Sequence, residues 1–255
     1  MLEVKGLSKN FGGLQAVANL DLRVGSGEIR GLIGPNGAGK STVFNLISGI
    51  HRPSAGKAVF RGQEITGLEP HKIASMGLVR TFQDTILFYN LSVMENLLIG
   101  QHLRSRMNMF ETLMSAYLSQ KKENRVREQA EDILEFTGLM ELKGTLAGEL
   151  PYGWRRILGI AVALSAEPKM VMLDEPATGM NREEIGRVMG LIDKVRTEKE
   201  MSILIIEHDM KVIMRICDKI TVLNHGVKIA EGLPKEVTNN QAVIEAYLGR
   251  HRDVA

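Results

Sequence analysis

The stretch Gly34-Pro35-Asn36-Gly37-Ala38-Gly39-Lys40-Ser41-Thr42 follows an apolar run, residues 29–33, and opens a helix-like segment. Two glycines separated by four residues and followed by Lys and Ser match the phosphate-loop pattern. Glycine permits turns in which successive N–H groups converge on phosphate oxygens at a helix N-terminus. We expect Lys40 to reach the β- and γ-phosphates of a nucleotide and the Ser41 hydroxyl to ligate Mg²⁺. The predicted cofactor-binding residues of this stretch are Gly34, Asn36, Gly37, Gly39, Lys40, Ser41 and Thr42.

Length and composition limit the classes of protein that remain. The 255 residues suffice for one α/β domain with an insertion or for two lobes, and both arrangements stay open at this point. A formal charge of +2 does not indicate a surface that binds nucleic acid. The single cysteine, Cys217, excludes an internal disulfide and suits a reducing compartment. Because the N-terminus lacks a signal-peptide pattern and the longest apolar run, residues 157–166, is too short to span a bilayer, we expect a cytosolic chain.

Hydrophobic periodicity changes twice along the chain. In residues 16–24 the even-numbered positions are apolar, and Asn19, Asp21 and Arg23 alternate with them, which predicts a half-buried antiparallel strand whose even-numbered residues face a core. From about residue 84 to residue 166 helical spacing replaces the β-branched runs, and residues 169–173 return to a buried-strand pattern. We therefore predict an α/β fold with two parts. A phosphate-loop NTPase core with an antiparallel β subdomain comprises residues 1–83 and 167–255, and an inserted α-helical subdomain comprises residues 84–166.

Four side chains outside the phosphate loop are candidates for the chemistry. Asp174 and Glu175 end the apolar run 169–173 at the carboxyl edge of a parallel sheet, where such sheets bind ligands. We expect Asp174 to hold Mg²⁺, directly or through water, and Glu175 to orient and deprotonate the attacking water. His208 ends another buried strand, where a neutral imidazole can hydrogen-bond a γ-phosphate or position water. Phe11 either stacks on a nucleotide base or fills the core, and its spacing leaves both alternatives open.

In these motifs and their order, the chain resembles the ATP-binding subunits of ABC transporters, and the resemblance covers nearly all of its length, from residue 2 to residue 248. Five motifs carry the resemblance, in the family's order: the phosphate loop, Gln83 in Arg80-Thr81-Phe82-Gln83, the signature-like Leu150-Pro151-Tyr152-Gly153-Trp154, Asp174-Glu175-Pro176, and His208 in Glu207-His208-Asp209-Met210. Within the family the chain looks most like the ATPase subunits of branched-chain amino acid importers, for example at Glu95-Asn96-Leu97-Leu98 and at Ala246-Tyr247-Leu248-Gly249.

The resemblance implies roles that spacing does not. Phe11 would stack on adenine, and Gln83 would ligate Mg²⁺, sense the γ-phosphate and contact the membrane partner. Two such subunits would sandwich two ATP molecules, and each signature would act in trans on the ATP held by the other subunit. ATP would thus close a homo- or heterodimer, and its hydrolysis to ADP and phosphate would open it. The chain would be peripheral, bound to permease subunits at the cytoplasmic face of the inner (plasma) membrane, with no nucleic-acid partner.

The resemblance leaves the exact role of the chain open. Branched-chain amino acids are the solute of the subfamily, but urea, short amides or other amino acids would be served by a very similar ATPase. An ATP-gated regulatory dimer with weak hydrolysis is a further alternative.

The signature departs from the family's usual pattern. Pro151 replaces a Ser whose hydroxyl contacts the γ-phosphate, Trp154 replaces a Gln, and Gly159 and Val162 replace a Glu and an Arg on the helix that follows. Since proline fits the first turn of a helix, we expect the helix to form while a phosphate contact worth about 1.5–3 kcal/mol is lost. Because signatures act in trans, we predict a weakened site on the partner's phosphate loop and a partner subunit that carries a conventional signature.

Overall fold

The computed structural model describes residues 1–81, 87–102 and 116–248 of the chain. By their internal contacts the residues form two compact units. The first unit comprises Met1–Arg80, Lys169–Gly179 and Ile192–Ala255, and the second comprises Thr81–Pro168 and Met180–Leu191. The domain boundaries given above remain a prediction, and they differ from this division chiefly at Met180–Leu191.

Ten strands and nine α-helices are formed by the described residues, together with two short 3-10 helices, Met140–Leu142 and Ala147–Glu149. The strands are β1 (Leu2–Phe11), β2 (Leu14–Val24), β3 (Ile29–Ile33), β4 (Ala55–Phe60), β5 (Gln63–Glu64), β6 (Leu78–Arg80), β7 (Met170–Asp174), β8 (Ser202–Ile206), β9 (Lys219–Asn224) and β10 (Val227–Gly232). The helices are α1 (Lys40–Ile47), α2 (Pro70–Ser75), α3 (Val93–His102), α4 (Ala116–Thr137), α5 (Tyr152–Ser165), α6 (Arg182–Lys199), α7 (Met210–Ile216), α8 (Pro234–Thr238) and α9 (Gln241–Leu248). None of the helices in the described ranges is long and apolar enough to cross a membrane.

The first unit contains a six-stranded sheet in the order β10-β9-β3-β8-β7-β6. The strands from β9 to β6 run parallel, and β10 pairs with β9 as an antiparallel hairpin. Every residue of β3, β7 and β8 is buried, as expected for parallel strands covered on both faces. Parallel pairing brings the carboxyl ends of these strands to one edge of the sheet, and the phosphate loop, Glu175 and His208 all follow directly at that edge.

The second sheet of the first unit is antiparallel, in the order β2-β1-β4-β5. A cluster of buried apolar residues includes side chains of this sheet, of α1 and of the six-stranded sheet, and Phe44 of α1 is fully buried in it. Full burial of one such side chain stabilises a fold by about 1.5–3 kcal/mol. The core therefore fixes α1, and with it the phosphate loop at its N-terminus.

The inward face of β2 is the predicted even-numbered one at Leu20, Leu22 and Val24, but it changes before Asn19. Val17 is fully buried, whereas Ala16 and Ala18 are only half-buried. The pairing of β1 with β2 shifts between Leu7 and Lys9, and Asn19 has a φ of 45°. A bulge at this point adds one residue to β2, and because side chains alternate with period two, it reverses the facing of residues 16–18, which precede it.

The second unit is helical. Helices α3, α4 and α5 pack on one another, and α5 buries Ile157, Leu158, Ala161 and Leu164. Asn96 of α3 is buried, and its amide nitrogen donates to the carbonyl oxygens of Phe88, Leu91 and Ser92. These hydrogen bonds hold the loop that leads into α3, so the sequence stretch that suggested a subfamily also has a structural role here.

Candidate functional site

The phosphate loop connects β3 to α1 and requires glycine at two positions. Gly34 and Gly39 have φ angles of 152° and 99°. A Cβ atom at Gly34 would lie 2.1 Å from the carbonyl oxygen of Leu223, and one at Gly39 would lie 2.5 Å from the carbonyl oxygen of Ala16. Both distances are far shorter than any van der Waals contact, so the close backbone packing of this loop excludes every side chain at these two positions.

The loop is held from both sides by backbone hydrogen bonds. The Ala38 N–H donates to the carbonyl oxygen of Pro35 at 3.1 Å, and the Gly226 N–H in the β9–β10 hairpin donates to the carbonyl oxygen of Ala38 at 3.0 Å. The Lys40 side chain is 7% exposed, and its Nζ donates to the carbonyl oxygens of Gly34 at 2.7 Å and Pro35 at 3.0 Å. The ammonium group is thus kept against the loop that it is predicted to serve.

The remaining predicted residues of the loop are accessible. Asn36, Gly37 and Ser41 are exposed, and Thr42 is half-buried. The Ser41 hydroxyl lies in the first turn of α1, at the helix end that favours anions. A ligand approaching the N-terminus of α1 can therefore reach the backbone of the loop and this hydroxyl together.

Asp174 ends β7 as a buried carboxylate, and the structure pairs it with a residue that the sequence analysis did not select. Its Oδ2 accepts a hydrogen bond from Nη2 of Arg80 at 2.7 Å, and both side chains are 8% exposed. The same guanidinium donates through Nη1 to Asn45 Oδ1 at 2.6 Å and stacks over the Phe44 ring, with its carbon 5.4 Å from the centroid. Arg80 therefore joins Asp174 to Phe44 and Asn45 of α1.

Glu175 and His208 come together at the carboxyl edge of the sheet. Glu175 Oε2 lies 3.7 Å from His208 Nδ1 and accepts a hydrogen bond from Thr178 Oγ1 at 3.1 Å. The Glu175 N–H donates to the carbonyl oxygen of Ile206 at 2.9 Å, which ties the end of β7 to the end of β8. Glu175 also has a φ of 47°, a left-handed conformation that costs a non-glycine residue of the order of 1–3 kcal/mol. Such strain persists only where the surroundings hold the residue in place, and it is concentrated at functional sites.

A second buried carboxylate, Glu207, lies next to this pair and was missed as a candidate. The side chain is 1% exposed. Its Oε1 accepts from the Ala177 N–H at 2.7 Å and its Oε2 accepts from the His208 N–H at 3.3 Å. Desolvation by burial raises the pKa of Glu207 above its ordinary value, and the backbone N–H of Ala177 opposes that rise. An acid that directly follows an apolar strand and precedes a candidate histidine was the available signal in the sequence.

Phe11 lies at the end of β1 and is 43% exposed, so the ring does not fill the core. Its ring makes an edge contact with the imidazole of His51, with the centroids 5.4 Å apart and the planes at 77°. Lys9 Nζ lies 5.0 Å from the ring centroid. Base stacking by this accessible ring stays a prediction.

The signature-like stretch opens α5 in the second unit. Pro151 occupies the N-cap position, one residue before the first helical residue, Tyr152, and offers no side-chain hydrogen bond. Instead, the Gly153 N–H donates to Oε1 of Glu184 at 3.3 Å, and Oε2 of Glu184 accepts from the Asn181 N–H at 3.0 Å. A serine at an N-cap would accept from the N–H groups of the first turn, so Glu184 supplies from α6 a cap that proline cannot. Leu150 is buried, and the half-buried ring of Trp154 lies 5.2 Å from the guanidinium carbon of Arg187.

The structure thus brings the phosphate loop, Asp174, Glu175 and His208 to one sheet edge within the first unit. Gln83, the remaining predicted catalytic residue and Mg²⁺ ligand, lies outside the described residues. Ser41 and Asp174 offer hydroxyl and carboxylate oxygens, the hard donors that Mg²⁺ prefers, and this donor set fits the ion.

Comparison with known proteins places this chain among transport proteins. The family model described as "ABC transporter" matches residues 17–178, and the one described as "Branched-chain amino acid ATP-binding cassette transporter" matches residues 227–253. The chain is 43% identical over 249 residues to the high-affinity branched-chain amino acid transport ATP-binding protein BraF of Pseudomonas aeruginosa, covering 98% of each chain. The same identity and coverage relate it to the protein LivG of Escherichia coli K12, which bears the same description.

Solved structures agree with this comparison. The fold is similar to that of a nucleotide-free ATP-binding cassette from an ABC transporter, with a TM-score of 0.85 and 32% identity over 97% of this chain and 98% of the other. It is equally similar to an ATP-binding cassette of an ABC transporter in its ADP conformation, with a TM-score of 0.86 and 32% identity over 98% of both chains.

Proposed function

The chain belongs to the ABC transporter family of ATP-binding cassettes, and we propose that it is the ATP-hydrolysing subunit of an importer for branched-chain amino acids. The observation that carries this solute class is the match of residues 227–253 to the branched-chain family, at the opposite end of the chain from the phosphate loop. The 43% identity to BraF and LivG over nearly the whole chain supports it.

In this proposal the phosphate loop binds the nucleotide, and residues at the carboxyl edge of the sheet activate the water that attacks it. The Lys40 ammonium and the N–H groups at the start of α1 bind the β- and γ-phosphates, and Ser41 and Asp174 hold Mg²⁺. When bound, Mg²⁺ neutralises charge that develops on the phosphate oxygens. Glu175 orients and deprotonates the attacking water, and His208 positions the γ-phosphate from the same edge. Catalysis is then mostly positioning and electrostatic stabilisation, as in other phosphoryl transfers.

The proposal also includes a second, different ATPase subunit and membrane-spanning permease subunits, with the chain at the cytoplasmic membrane face. The support for a different subunit comes from the start of α5. Pro151 has no hydroxyl, and the Gly153 N–H already donates to the Glu184 carboxylate, so an anion stands where the other subunit's γ-phosphate would be received. A conventional signature in the partner would leave one strong site, on the phosphate loop of this chain.

Co-purification and transport assays test the proposal. The tagged chain should co-purify with a polytopic membrane protein and with an ATPase of different sequence. In proteoliposomes, leucine, isoleucine or valine with its binding protein should stimulate ATP hydrolysis. Stimulation by urea, short amides or other amino acids, with none by these three, would overturn the solute class. Equal and robust turnover by the purified chain alone and by the assembled transporter would remove the case for a different partner.

Substitution of the proposed base tests the catalytic assignment. Glu175→Gln should let ATP bind and hold the dimer together while turnover falls by at least about 10²-fold, within the range that general bases contribute. Glu198→Gln, at an exposed position near the end of α6, is the control and should leave turnover unchanged. Hydrolysis at the wild-type rate in Glu175→Gln would show that another group takes the proton from water.

A further inference from the structure

The carboxylate of Glu207 is buried where its burial costs stability, and both of its oxygens are used. Oε1 accepts from the Ala177 N–H at 2.7 Å, and Oε2 accepts from the His208 N–H at 3.3 Å. Only 1% of the side chain is exposed. Among the described residues the only cationic group at ion-pair distance from this carboxylate is the His208 imidazole. Such a buried carboxylate is a weak source of stability, because desolvation offsets much of what its hydrogen bonds contribute. The position of Glu207 is better explained by the two backbone N–H groups that its carboxylate holds in place.

The two N–H groups belong to the two segments that carry the reacting side chains. Ala177 lies two residues after Glu175 and one before Thr178, whose hydroxyl donates to Glu175 Oε2 at 3.1 Å. His208 carries the imidazole that lies 3.7 Å from the same oxygen. One carboxylate therefore fixes the backbone on both sides of the Glu175–His208 contact.

Glu175 has a left-handed backbone conformation, with a φ of 47°, and such a conformation needs to be held by its neighbours. A strained residue relaxes unless its neighbours hold it, and the bond from Glu207 to the Ala177 N–H restrains the chain directly after the strained residue. Among the described residues, the charges of the His208 imidazole and the Glu175 carboxylate act on the pKa of Glu207 in opposite directions, the first lowering it and the second raising it. His208 Nδ1 lies 3.9 Å from Glu207 Oε2, so it stands between two carboxylates.

We propose that Glu207 is a positioning residue for ATP hydrolysis, which fixes Glu175 and His208 relative to each other by accepting the backbone N–H groups of Ala177 and His208. The inference rests on the roles proposed above for Glu175 and His208 in ATP hydrolysis and is independent of the proposed solute. It assigns to Glu207 no contact with nucleotide and no proton transfer.

Two substitutions at Glu207 remove both of its hydrogen bonds or only one of them. Glu207→Ala removes both acceptors, and its kcat should fall about 10- to 100-fold, since small misplacements of reacting groups cost up to about 10²-fold. Nucleotide affinity and KM for MgATP should change less than about threefold. Glu207→Gln keeps an acceptor for the Ala177 N–H and loses only the longer bond from the His208 N–H, which an amide NH₂ cannot accept. Its kcat should therefore recover to within about fivefold of wild type.

Glu28 supplies the matched control. Its carboxylate also accepts a backbone N–H, from Gly25 at 2.6 Å, but it precedes β3 and so lies at the opposite edge of the sheet. Glu28→Gln should leave kcat unchanged. A fall in kcat for Glu28→Gln as large as that for Glu207→Ala would assign both effects to general destabilisation and overturn the proposal.

Amide hydrogen exchange gives a readout that needs no turnover. Protection of the Ala177 amide should be lost in Glu207→Ala and kept in Glu207→Gln, and combining Glu207→Ala with His208→Ala should cost less than the two effects multiplied. If Glu207→Ala does not fold, Glu207→Gln decides: a kcat reduced about 100-fold with the Ala177 and His208 amides both still protected would overturn positioning. A kcat within twofold of wild type in a folded Glu207→Ala would overturn it as well.

Discussion

Replacing Arg80 by alanine should destabilise the first unit by about 3–5 kcal/mol. The guanidinium is 8% exposed and donates to Asp174 Oδ2 at 2.7 Å, so its removal leaves a carboxylate of equally low exposure without its cationic partner. The hydrogen bond to Asn45 and the contact with the Phe44 ring are lost as well. The uncompensated charge is the largest of these losses, because burying an unpaired ion costs more than any single neutral contact contributes.

A double-mutant cycle measured by urea unfolding tests this reasoning. Asp174→Asn removes the negative charge that Arg80→Ala leaves without a partner. The double variant should therefore recover about 2–3 kcal/mol of unfolding free energy relative to the sum of the two single effects. Arg196→Ala is the control, since Arg196 is 30% exposed and pairs with Asp193 and Asp218 near the surface. It should cost no more than about 1 kcal/mol. A cost below about 1 kcal/mol for Arg80→Ala, or a coupling below about 0.5 kcal/mol, would refute the argument.

Three further predictions follow from particular contacts. Gly39→Ala places a Cβ 2.5 Å from a carbonyl oxygen and should abolish nucleotide binding in a titration. A Cβ at Gly37 has open space around it, so Gly37→Ala should lower the free energy of unfolding in urea only by the roughly 1–2 kcal/mol that a left-handed backbone costs. Glu184→Gln removes the negative charge beside the Gly153 N–H. In the Glu175→Gln background it should therefore raise the fraction of dimer that size-exclusion chromatography detects in the presence of ATP. An unchanged fraction would contradict the idea that the Glu184 carboxylate keeps a γ-phosphate away from the signature. Burial raises the pKa of the Cys217 thiol, so the rate of its alkylation at pH 8 should follow global unfolding. The unfolded thiol ionises at lower pH than the folded one, so the free energy of unfolding should fall as pH rises above the unfolded pKa. Cys217→Ala should not show this pH-dependent loss of stability.

Much of the fold could be predicted from patterns a few residues long. The spacing of Gly34, Gly39 and Lys40 predicted a strand, a phosphate loop and a helix, and the structure has β3, the loop and α1 in that order. The apolar run before Asp174 predicted a strand buried on both faces, and every residue of β7 is buried. The family and the α/β fold are confirmed by the comparisons. The roles of the site residues stay predictions.

Local patterns failed where one residue changed the register. The alternation in residues 16–24 predicted a regular strand, but a bulge at Asn19 turns Val17 inward instead of Ala16 and Ala18. Valine and alanine are both apolar, so the hydrophobic pattern does not distinguish the two facings at this end of the strand. The pairing with β1 decides between them.

The amino-acid sequence alone was sufficient for those parts of the site whose chemistry depends on neighbours in the chain: a phosphate loop, two acids after a buried strand, and a histidine after another. The partners of these residues come from distant segments. Arg80 reaches Asp174 because β6 pairs with β7, and Glu207 reaches Ala177 because β7 pairs with β8. Strand order and register set these contacts, and neither is encoded in the spacing of residues within one segment. A buried charge is stable only with its partner, so the ion pair and the buried carboxylate could be recognised only after the sheet had been assembled.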